Sequence, residues 1–436
     1  MAFFIFASTM LFIYWRPLKL PLWVFSTLGA AAAFCVDVVS IADIAYVWTM
    51  VSDSTLTLVG LILLTLALEK IGFFAFLASL IVSFLQKGIK GAAESQSIST
   101  ARFYVFLVLF GSFLSALFAN DGAILILTPL ILALFSTTHF ANNTSFFTPL
   151  IIFLLVVGFV SDFASNTFVI SNLTNIITAH FFHLESLRFS FLMLLPQLFV
   201  ILGALALWWV VRRFLPQTLT FKPFDGTFSR LSMFFCFFLL LVLLFGIFYA
   251  HKLALPLSSF TLSCALAAVI YGKILGKMQF FASLKDAPFG IVVFSLGLFV
   301  VVFGLKNGGI LEFLTNALPL FTSFSYELQI LSFGIASSIG SSVMNNLPMV
   351  MLGNLALADL GTYLNAKESL IFAHLLGCNV GAKLTPLGSL ATLLWLESLK
   401  THGIHIGFLR YMCVSLCVTL PLLLLGLLGL IFAQSL

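Results

Sequence analysis

The chain has 436 residues, of which 61% are hydrophobic and only 8% are charged. A soluble domain carries about 25% charged residues, so this composition excludes a soluble globule. The hydrophobic content excludes a disordered chain, and six scattered cysteines exclude a small disulfide scaffold. A mean hydropathy of +1.19 indicates a polytopic membrane protein, so the net charge of +5 has to be assigned loop by loop.

In the first half, polar residues interrupt two of the apolar segments. A hydropathy window of about 19 residues predicts segments at 2–15, 20–40, 53–69, 101–137, 147–180 and 189–211, with an amphipathic stretch at 70–86. Asn120-Asp121-Gly122 interrupts the fourth segment, and Ser161-Asp162 and Ser165-Asn166-Thr167 interrupt the fifth. The most hydrophilic stretch of the chain, 212–230, follows.

The second half repeats this order. Its predicted segments are 231–250, 256–272, 288–305, 327–358, 368–398 and 407–433. Asn345-Asn346-Leu347-Pro348 interrupts the fourth, and the residues from Gly377-Cys378-Asn379 through Thr385-Pro386 interrupt the fifth. The end of the third segment also echoes between the halves, as LEKIG at 68–72 and LKNGG at 305–309.

The matching order predicts an all-α polytopic membrane protein built from two inverted repeats. If each Asn-interrupted segment is a re-entrant helical hairpin, each repeat has five transmembrane helices, one of them broken. Because five is odd, the second repeat is inverted relative to the first. The predicted units are a first transmembrane repeat at 1–211, a cytoplasmic linker at 212–230 and a second, inverted repeat at 231–436.

The distribution of positive charge assigns the two sides of the membrane. The loops near 16–19, 70–102, 212–230, 273–285 and 400–410 fall on one side and contain fifteen of the 20 Lys and Arg residues. The other side contains Arg188, Lys252, Lys306 and Lys367, while Lys383 falls within a membrane segment. By the positive-inside rule the first side is cytoplasmic, which places both termini on the periplasmic side.

The candidate site consists of four interruptions, at 118–122, 161–175, 344–348 and 377–389. Non-helical backbone inside a membrane is tolerated only where protein buries it or where it lines a wet cavity. Interrupted segments at matching places in inverted repeats point to a transporter's binding site. The alternative is a set of helix kinks, with the Asn residues serving helix packing. Four interruptions paired between the halves favour the binding site.

Asp121, Asp162 and Lys383 are the most conspicuous charges within the predicted membrane segments. An ionisable group there costs roughly 2.5–3.5 kcal/mol, so each needs a partner or a role. Asp162 and Lys383 occupy corresponding places in the two broken helices, which predicts a buried pair across the repeat axis. Such a pair either locks the helices together or breaks when a carboxylate is protonated during transport, and both interpretations stay open.

Other reactive residues give weaker signals. Glu69 and Lys306 stand at the echoing helix ends, where we expect them to cap the helices. Cys378, in an interruption, is the one cysteine placed to meet a substrate, although a free cysteine in a membrane helix usually packs as a small hydrophobe. The seven His show no metal-ligand spacing, and no ATPase or catalytic motif is present. The sequence therefore predicts a transporter rather than an enzyme, with no cofactor and no metal.

Several motifs at the interruptions resemble a known family. They are FANDGAILILTP at 118–129, ISNLTN at 170–175, FSLG at 294–297, MNNLP at 344–348 and GAKLTPLGSLATLLW at 381–395. These motifs are similar to those of the bacterial arsenite/antimonite efflux permease (arsenical pump membrane protein) of the ion transporter superfamily. The resemblance covers essentially the whole chain.

This resemblance implies secondary active efflux of trivalent arsenite and antimonite across the bacterial inner membrane, in exchange for protons, giving metalloid resistance. It implies the superfamily fold, and it allows a homodimer and a soluble arsenite-stimulated ATPase as partners; no nucleic acid is expected. The candidate substrate-binding residues are Asn120, Asp121, Ser171, Asn172, Asn345, Asn346, Asn379, Thr385, Gly388 and Ser389. The candidates for proton coupling are Asp121, Asp162 and Lys383.

The sequence departs from the family pattern at two places. Asn379 stands where the family often has Asp, and Ser165-Asn166-Thr167 is more polar than the usual version. If an Asp at position 379 carries protons in the relatives, Asp121 or Asp162 has to do so here.

Two rival functions remain. A sodium-coupled anion (dicarboxylate) transporter or sodium/proton antiporter of the same superfamily could use the same Asn-rich tips, because exposed carbonyls also bind sodium. The Asp121 carboxylate disfavours an anionic substrate at its tip. A passive metalloid or ion channel is the rival from another class, and uphill transport would exclude it.

Overall fold

The computed structural model describes residues 1–86, 97–136, 148–220, 229–249, 253, 255–279, 289–310, 312, 324–359 and 367–434. Its helices are α1 (Ala2–Trp15), α2 (Leu22–Cys35), α3 (Ile41–Ile71), α4 (Phe73–Gln86), α5 (Thr100–Ser136), α6 (Pro149–Phe163), α7 (Leu173–Phe181), α8 (Ser186–Ala206), α9 (Trp208–Val211), α10 (Arg230–Tyr249), α11 (Leu257–Ile274), α12 (Phe289–Asn307), α13 (Tyr326–Met344), α14 (Asn346–Asp359), α15 (Lys367–Asn379), α16 (Leu390–Thr401) and α17 (Phe408–Gln434). Short 3₁₀ turns lie at Pro17–Lys19, Val169–Ser171, Arg212–Phe214 and Gly381–Leu384.

Apolar helices dominate the described residues, because inside a membrane backbone N–H and C=O groups have to be satisfied without water. By length and composition, five segments could cross a bilayer: Val51–Ile71, Thr100–Leu117, Ser186–Phe214, Leu257–Ile274 and Phe408–Gln434. Shorter apolar helices, α1, α2 and α6 among them, accompany these five. The predicted all-α polytopic membrane fold is confirmed.

Three of the four predicted interruptions are breaks between helices. The chain leaves the helix between α6 and α7, between α13 and α14, and between α15 and α16. The second break turns on the single residue Asn345, which adopts φ 82° and ψ 151°. Positive φ is uncommon for residues other than glycine, and Asn is among the residues that adopt it most readily.

The hairpin predicted in the first half lies within the segment labelled α5. The ring centroids of Phe103 and Phe135 lie 6.3 Å apart, and both rings pack on Phe153. A straight helix would separate Phe103 from Phe135 by about 48 Å, so the segment folds back on itself. A Cβ on Gly111 would lie 3.4 Å from the Leu127 side chain, which places the turn between these two residues, where the sequence has Asn120-Asp121-Gly122.

A capping box begins the long helix α3. The Ser40 side chain accepts a hydrogen bond from the Asp43 N–H, and the Asp43 carboxylate accepts one from the Ser40 N–H at 2.9 Å. Two of the free N–H groups at the helix start are satisfied in this way. The Ser40 N–H holds the pKa of the Asp43 carboxyl below its usual value, because the bond favours the ionised form.

The helices of the two halves pack in matched pairs. The second apolar helix of each half packs against the third of the other: α2 against α12, and α11 against α3. Glycine permits both close approaches. A Cβ atom on Gly60 of α3 would lie only 2.8 Å from the backbone nitrogen of Leu262 on α11. A Cβ atom on Gly297 of α12 would lie only 2.7 Å from the carbonyl carbon of Ser26 on α2. Small residues at membrane helix interfaces have this role. The last long helices, α8 and α17, also pack together.

The segment predicted as the linker, 212–230, is tied to the start of α5. Its strand β2 (Thr218–Thr220) pairs antiparallel with β1 (Ser97–Ser99). The Thr100 N–H donates to the Gln217 carbonyl at 3.0 Å, and its hydroxyl donates to the Pro216 carbonyl at 2.6 Å. The remainder of the predicted linker, 221–228, and the predicted loop residue Lys252 lie outside the described residues.

Candidate functional site

The break between α6 and α7 is stabilised by its own asparagine side chains. The Asn166 amide donates to the Phe163 carbonyl at 2.7 Å, and the Asn175 amide donates to the carbonyls of Ser165 and Phe168, both at 2.9 Å. The side chains of Ser165, Asn166 and Asn175 are buried. Carbonyls at a helix end have no partner within the helix, and here the amide groups satisfy them, which lets the backbone unwind without exposure to water.

The break between α15 and α16 is held by residues at the break between α13 and α14. The Asn345 amide donates to the Leu387 carbonyl at 2.9 Å, and the Asn346 N–H donates to the Gly388 carbonyl at 2.7 Å. A Cβ on Gly388 would lie 2.0 Å from the Ala382 carbonyl oxygen, so only glycine fits this approach. Asn345 and Asn346, which belong to the interruption at 344–348, therefore bind the backbone of the interruption at 377–389.

A buried ion pair joins the two halves. The Asp162 carboxylate at the end of α6 lies 2.5 Å from the Lys383 ammonium, and the two side chains are 2% and 0% exposed. The other carboxylate oxygen accepts from the Asn120 amide of α5 at 2.5 Å. Lys383 also donates to the Thr392 hydroxyl of α16 at 2.5 Å. The structure thus contains the pair that the sequence predicted, with a polar partner on each side.

Asn379 is the centre of a second buried network that crosses between the halves. Its amide donates to the side-chain oxygens of Asn166 and Asn175, at 3.0 and 2.8 Å, and its own side-chain oxygen accepts from the Thr174 hydroxyl at 2.5 Å. Asn166 in turn donates to the Gln197 side chain at 3.0 Å. Every donor and the acceptor oxygen of the Asn379 side chain therefore has a partner in the first half, which fits an amide rather than a carboxylate here.

Asp121 brings a second carboxylate into the region of the ion pair. It is partly buried on α5, next to Asn120, and interacts electrostatically with both Asp162 and Lys383. Among the described residues it forms no salt bridge within 4.0 Å. With all three groups ionised, the region carries one net negative charge, which one proton would neutralise.

Several buried polar atoms near these breaks have no hydrogen-bond partner among the described residues, among them the Asn120 side-chain oxygen, the Gln197 amide nitrogen and the hydroxyls of Ser338 and Ser389. Burying such an atom without a partner costs about 1–3 kcal/mol, so native structures seldom leave one unexplained. Asn120 and Ser389 are among the predicted substrate-binding residues. These atoms are suited to hydrogen bonds with a small hydroxylated ligand.

The remaining predicted residues serve the geometry of the breaks. The Ser171 hydroxyl donates to the Ala116 carbonyl of α5 at 3.0 Å, and the Asn172 amide donates to the Ser165 hydroxyl at 3.0 Å. The Thr385 hydroxyl donates to the Ser342 carbonyl at 2.6 Å. These side chains hold the unwound backbone of each half against the neighbouring helix.

Sequence reasoning missed five residues that complete the two networks. They are Asn166, Thr174, Asn175, Gln197 and Thr392. The first three lie within the interruption at 161–175 and carried the signal of polar residues in an apolar segment. Gln197 is a single polar residue inside the apolar helix α8, a weaker signal of the same kind.

The residues with weaker signals lie outside these networks. Cys378 is fully buried with its sulfur 3.8 Å from both ring nitrogens of His374. Glu69 lies 3.7 Å from the His402 ring, and Lys306 lies over the Phe303 ring. Among the described residues, no group of three or more His, Cys, Asp and Glu side chains is arranged to hold a metal ion.

The sequence comparisons with known proteins agree on one family. The family model for arsenical pump membrane proteins matches residues 1–433. An arsenical pump membrane protein of Escherichia coli is 33% identical over 431 residues, which cover 96% of this chain and 95% of that protein. One of Yersinia enterocolitica is 33% identical over 429 residues, with the same coverage. A crystal structure of the Alcanivorax borkumensis YdaH transporter covers 97% of both chains, with a TM-score of 0.49 and 15% identity.

Proposed function

The chain belongs to the arsenical pump membrane protein family, and from this premise we propose that it exports trivalent arsenite and antimonite in exchange for protons. The names of its relatives support the transport of an arsenical. The substrate form and the coupling ion are inferences from the chemistry of the two breaks.

The substrate suits an uncharged polar site. Arsenous acid is a weak acid that is mostly neutral at neutral pH, and each of its hydroxyls both donates and accepts hydrogen bonds. The unpartnered side-chain oxygen of Asn120 and the hydroxyls of Ser338 and Ser389 match such a ligand. Three thiolates would hold the metalloid too tightly for rapid release, and Cys378, the cysteine nearest the second break, has no cysteine partner within the interruption.

The charge count of the site supports proton coupling. Lys383 neutralises Asp162 through the 2.5 Å pair, which leaves Asp121 as the excess negative charge. We assign the exchanged proton to Asp121. Protonating it makes the region neutral, and neutral groups cross the membrane interior more easily than charged ones. Asp162 and Lys383 then act as the fixed pair that holds the Asn120 side chain, which neighbours Asp121 in the sequence.

The matched packing of the halves supports alternating access by inverted repeats, with residues 1–211 and 231–436 as the two repeats. Pairs such as α2 with α12 and α11 with α3 are those that an internal two-fold axis exchanges. In such transporters the binding site lies at the repeat interface and the repeats gate opposite sides. Here the two broken helices meet at that interface through Asn379 and Lys383.

Proton coupling is energetically sufficient for uphill export of a neutral molecule. One proton that moves inward across 100 mV releases about 2.3 kcal/mol. Since about 1.4 kcal/mol corresponds to a factor of ten, this sustains a gradient of roughly 40-fold. The basic loops support an orientation with both termini periplasmic, and the family resemblance supports the bacterial inner membrane. A homodimer and a soluble ATPase partner stay predictions of the family resemblance.

The test measures arsenite uptake into everted membrane vesicles with an acidic lumen, in sodium-free buffer. Gradient-dependent accumulation is expected for the native chain, and Asp121→Asn is expected to abolish it. Glu185→Gln is the matched control, because this carboxylate is exposed and forms no cap hydrogen bond at the start of α8. Both variants keep the side-chain size and remove one negative charge.

Two results would contradict the proposal in different ways. Full accumulation by Asp121→Asn would show that another group carries the exchanged proton, and Asp162 would be the next candidate. No accumulation above vesicles that lack the chain, with sodium or succinate transported instead, would favour the sodium-coupled carrier. Arsenite that only equilibrates, without response to the gradient, would indicate a channel.

A further inference from the structure

The first helix reaches the break in the second half with a hydrogen-bonding side chain. The Tyr14 hydroxyl, near the end of α1, lies 3.2 Å from the Ser342 carbonyl and 3.0 Å from the Val343 carbonyl. Both carbonyls belong to the last turn of α13, where no intrahelical donor remains for them. Tyr14 therefore supplies from a distant part of the chain the hydrogen bond that the end of α13 lacks.

The Ser342 carbonyl is shared between α1 and the second broken helix. It accepts from Tyr14 and also from the Thr385 hydroxyl at 2.6 Å. One oxygen atom thus connects the first helix, the end of α13 and the start of the segment that carries Gly388 and Ser389. A movement of the broken helix away from α13 would have to break bonds at this carbonyl.

A cavity of about 300 Å³ lies beside this junction. It is lined by Tyr14 on α1 and by Pro386 and Leu387 of the broken helix, with α16 and Phe408 of α17 completing the wall. The Leu387 residue that lines the cavity also presents its carbonyl to the Asn345 amide. The wall of the cavity is therefore part of the backbone that the candidate site uses.

The mouth of the cavity carries charged groups. Arg16, Glu397 and Lys400 line it, and the Lys400 ammonium lies 2.9 Å from the Glu397 carboxylate. Arg16 and Lys400 belong to two of the loops that hold most of the basic residues, which is the side assigned to the cytoplasm. The interior beyond them is lined mainly by apolar residues, Ile13 and Leu393 among them.

We propose that this cavity is the cytoplasmic vestibule through which a small neutral metalloid acid reaches the second broken helix, and that the Tyr14 hydroxyl is the latch on its inner wall. The inference rests on the proposed function for the identity of the substrate. A neutral hydroxylated molecule can pass an apolar passage that an anion would not enter. Breaking the Tyr14 hydrogen bonds frees Pro386–Gly388 to move and connects the vestibule to Asn345.

The position of the vestibule is tested by thiol labelling. Serine first replaces the exposed cysteines Cys35, Cys413 and Cys417, and Leu396→Cys then places a thiol in the cavity. A membrane-impermeant methanethiosulfonate reagent is expected to label it in everted vesicles and not in right-side-out vesicles. An excess of arsenite is expected to slow the labelling.

The latch is tested at Leu387, which is 7% exposed at the inner wall. Tyr14→Phe is expected to raise the labelling rate of Leu387→Cys about three- to ten-fold, the factor that loss of one ordinary hydrogen bond gives. Tyr46→Phe is the matched control, because no hydrogen bond of the Tyr46 hydroxyl is found among the described residues. Unchanged labelling of Leu396→Cys shows that the Tyr14 variant is folded.

Labelling of Leu396→Cys from the opposite side, or a rate at Leu387→Cys that Tyr14→Phe leaves unchanged, would overturn the inference. If an excess of arsenite does not slow the labelling of Leu396→Cys, the metalloid does not occupy the vestibule. These results are separate from the uptake assay: failure of the native chain to accumulate arsenite would refute the proposed function, whereas the side and the latch are measured without transport.

Discussion

Asp162 and Lys383 form a 2.5 Å ion pair between two broken helices that lie in different halves of the chain. Asp162 lies in the last turn of α6, and Lys383 lies in the 3₁₀ turn that follows α15. The pair therefore joins the two places where helical hydrogen bonding ends. Thr392 and Asn120 supply one further hydrogen bond to each charge. The pair therefore fixes the relative position of the two breaks.

Removing one charge of this pair is expected to destabilise the protein. Lys383→Met leaves the buried Asp162 carboxylate unpaired, and removing one partner of a buried pair costs about 3–5 kcal/mol. The double variant Asp162→Asn, Lys383→Met should recover much of this loss. Thermal unfolding of the purified protein in detergent measures all three variants as a double-mutant cycle.

The matched surface control is Lys400→Met. Its ion pair with Glu397 has both side chains largely exposed, and pairs of that kind contribute about 0–1 kcal/mol. A loss at Lys383 no larger than the loss at Lys400, or a double variant as unstable as the single one, would show that the buried pair does not fix the breaks.

Asn379→Asp is expected to destabilise the second network. A carboxylate cannot donate, so the side-chain oxygens of Asn166 and Asn175 would lose their partner and face a negative charge. Each buried unsatisfied group costs about 1–3 kcal/mol. The melting temperature of Asn379→Asp should lie below that of the native chain.

A second substitution tests whether the charge or the lost amide is responsible. The Asn166→Ser, Asn379→Asp double variant supplies a hydroxyl that can donate to the new carboxylate. It should be more stable than Asn379→Asp alone. Equal or higher stability of the single Asp variant relative to the native chain would contradict the donor assignment of Asn379.

Asp53 on α3 caps a helix that follows much later in the chain. Its carboxylate accepts from the N–H groups of Leu257 and Ser258 at the start of α11, at 3.1 and 2.8 Å. The residue before α11 is Pro256, whose side chain cannot cap it. Replacing an N-cap acceptor by alanine costs about 0.5–2 kcal/mol, and we expect Asp53→Ala to lower the unfolding free energy by that amount.

Glu185→Ala is the control for this cap. Glu185 precedes α8 but its side chain forms no cap hydrogen bond, so its loss should leave stability nearly unchanged. Chemical denaturation in mixed micelles compares the two variants. An Asp53→Ala protein as stable as the Glu185→Ala protein would show that the cap contributes nothing.

The capping box at α3 predicts a pH dependence. Bonding to Ser40 lowers the pKa of Asp43 below its ordinary value of 3.8, so this group contributes stability above that value. The contribution is lost as the pH falls through the lowered pKa of the folded state. The difference in melting temperature between the native chain and Asp43→Asn should be constant from about pH 5 to 7 and shrink below about pH 3.8. A difference that grows on acidification would contradict the assignment.

The positions of most helices and of all four predicted interruptions follow from the sequence. Runs of apolar residues have to be helical in a membrane, so the predicted segments and the observed helices agree closely, as at 407–433 and Phe408–Gln434. The break at Asn345 could be predicted because Asn-Asn-Leu-Pro combines a residue tolerant of positive φ with a proline near a helix start.

Other features depended on contacts between residues distant in the chain. Asn120-Asp121-Gly122 stands in the sequence like the other interruptions, but the partner of its Asn120 amide is the Asp162 carboxylate at the end of another helix. The sequence does not encode locally whether such a partner will be in reach.

Composition and periodicity by themselves determined the membrane class, the order of the helices and the polar residues that interrupt them, because burial in lipid constrains each segment independently. Only the tertiary structure decided that Asn379 binds Thr174 and two asparagines, that Asp53 caps α11, and that Tyr14 reaches the end of α13. Hydrogen bonds act over about 3 Å, and which groups come within that distance is set by how the helices of the two halves pack.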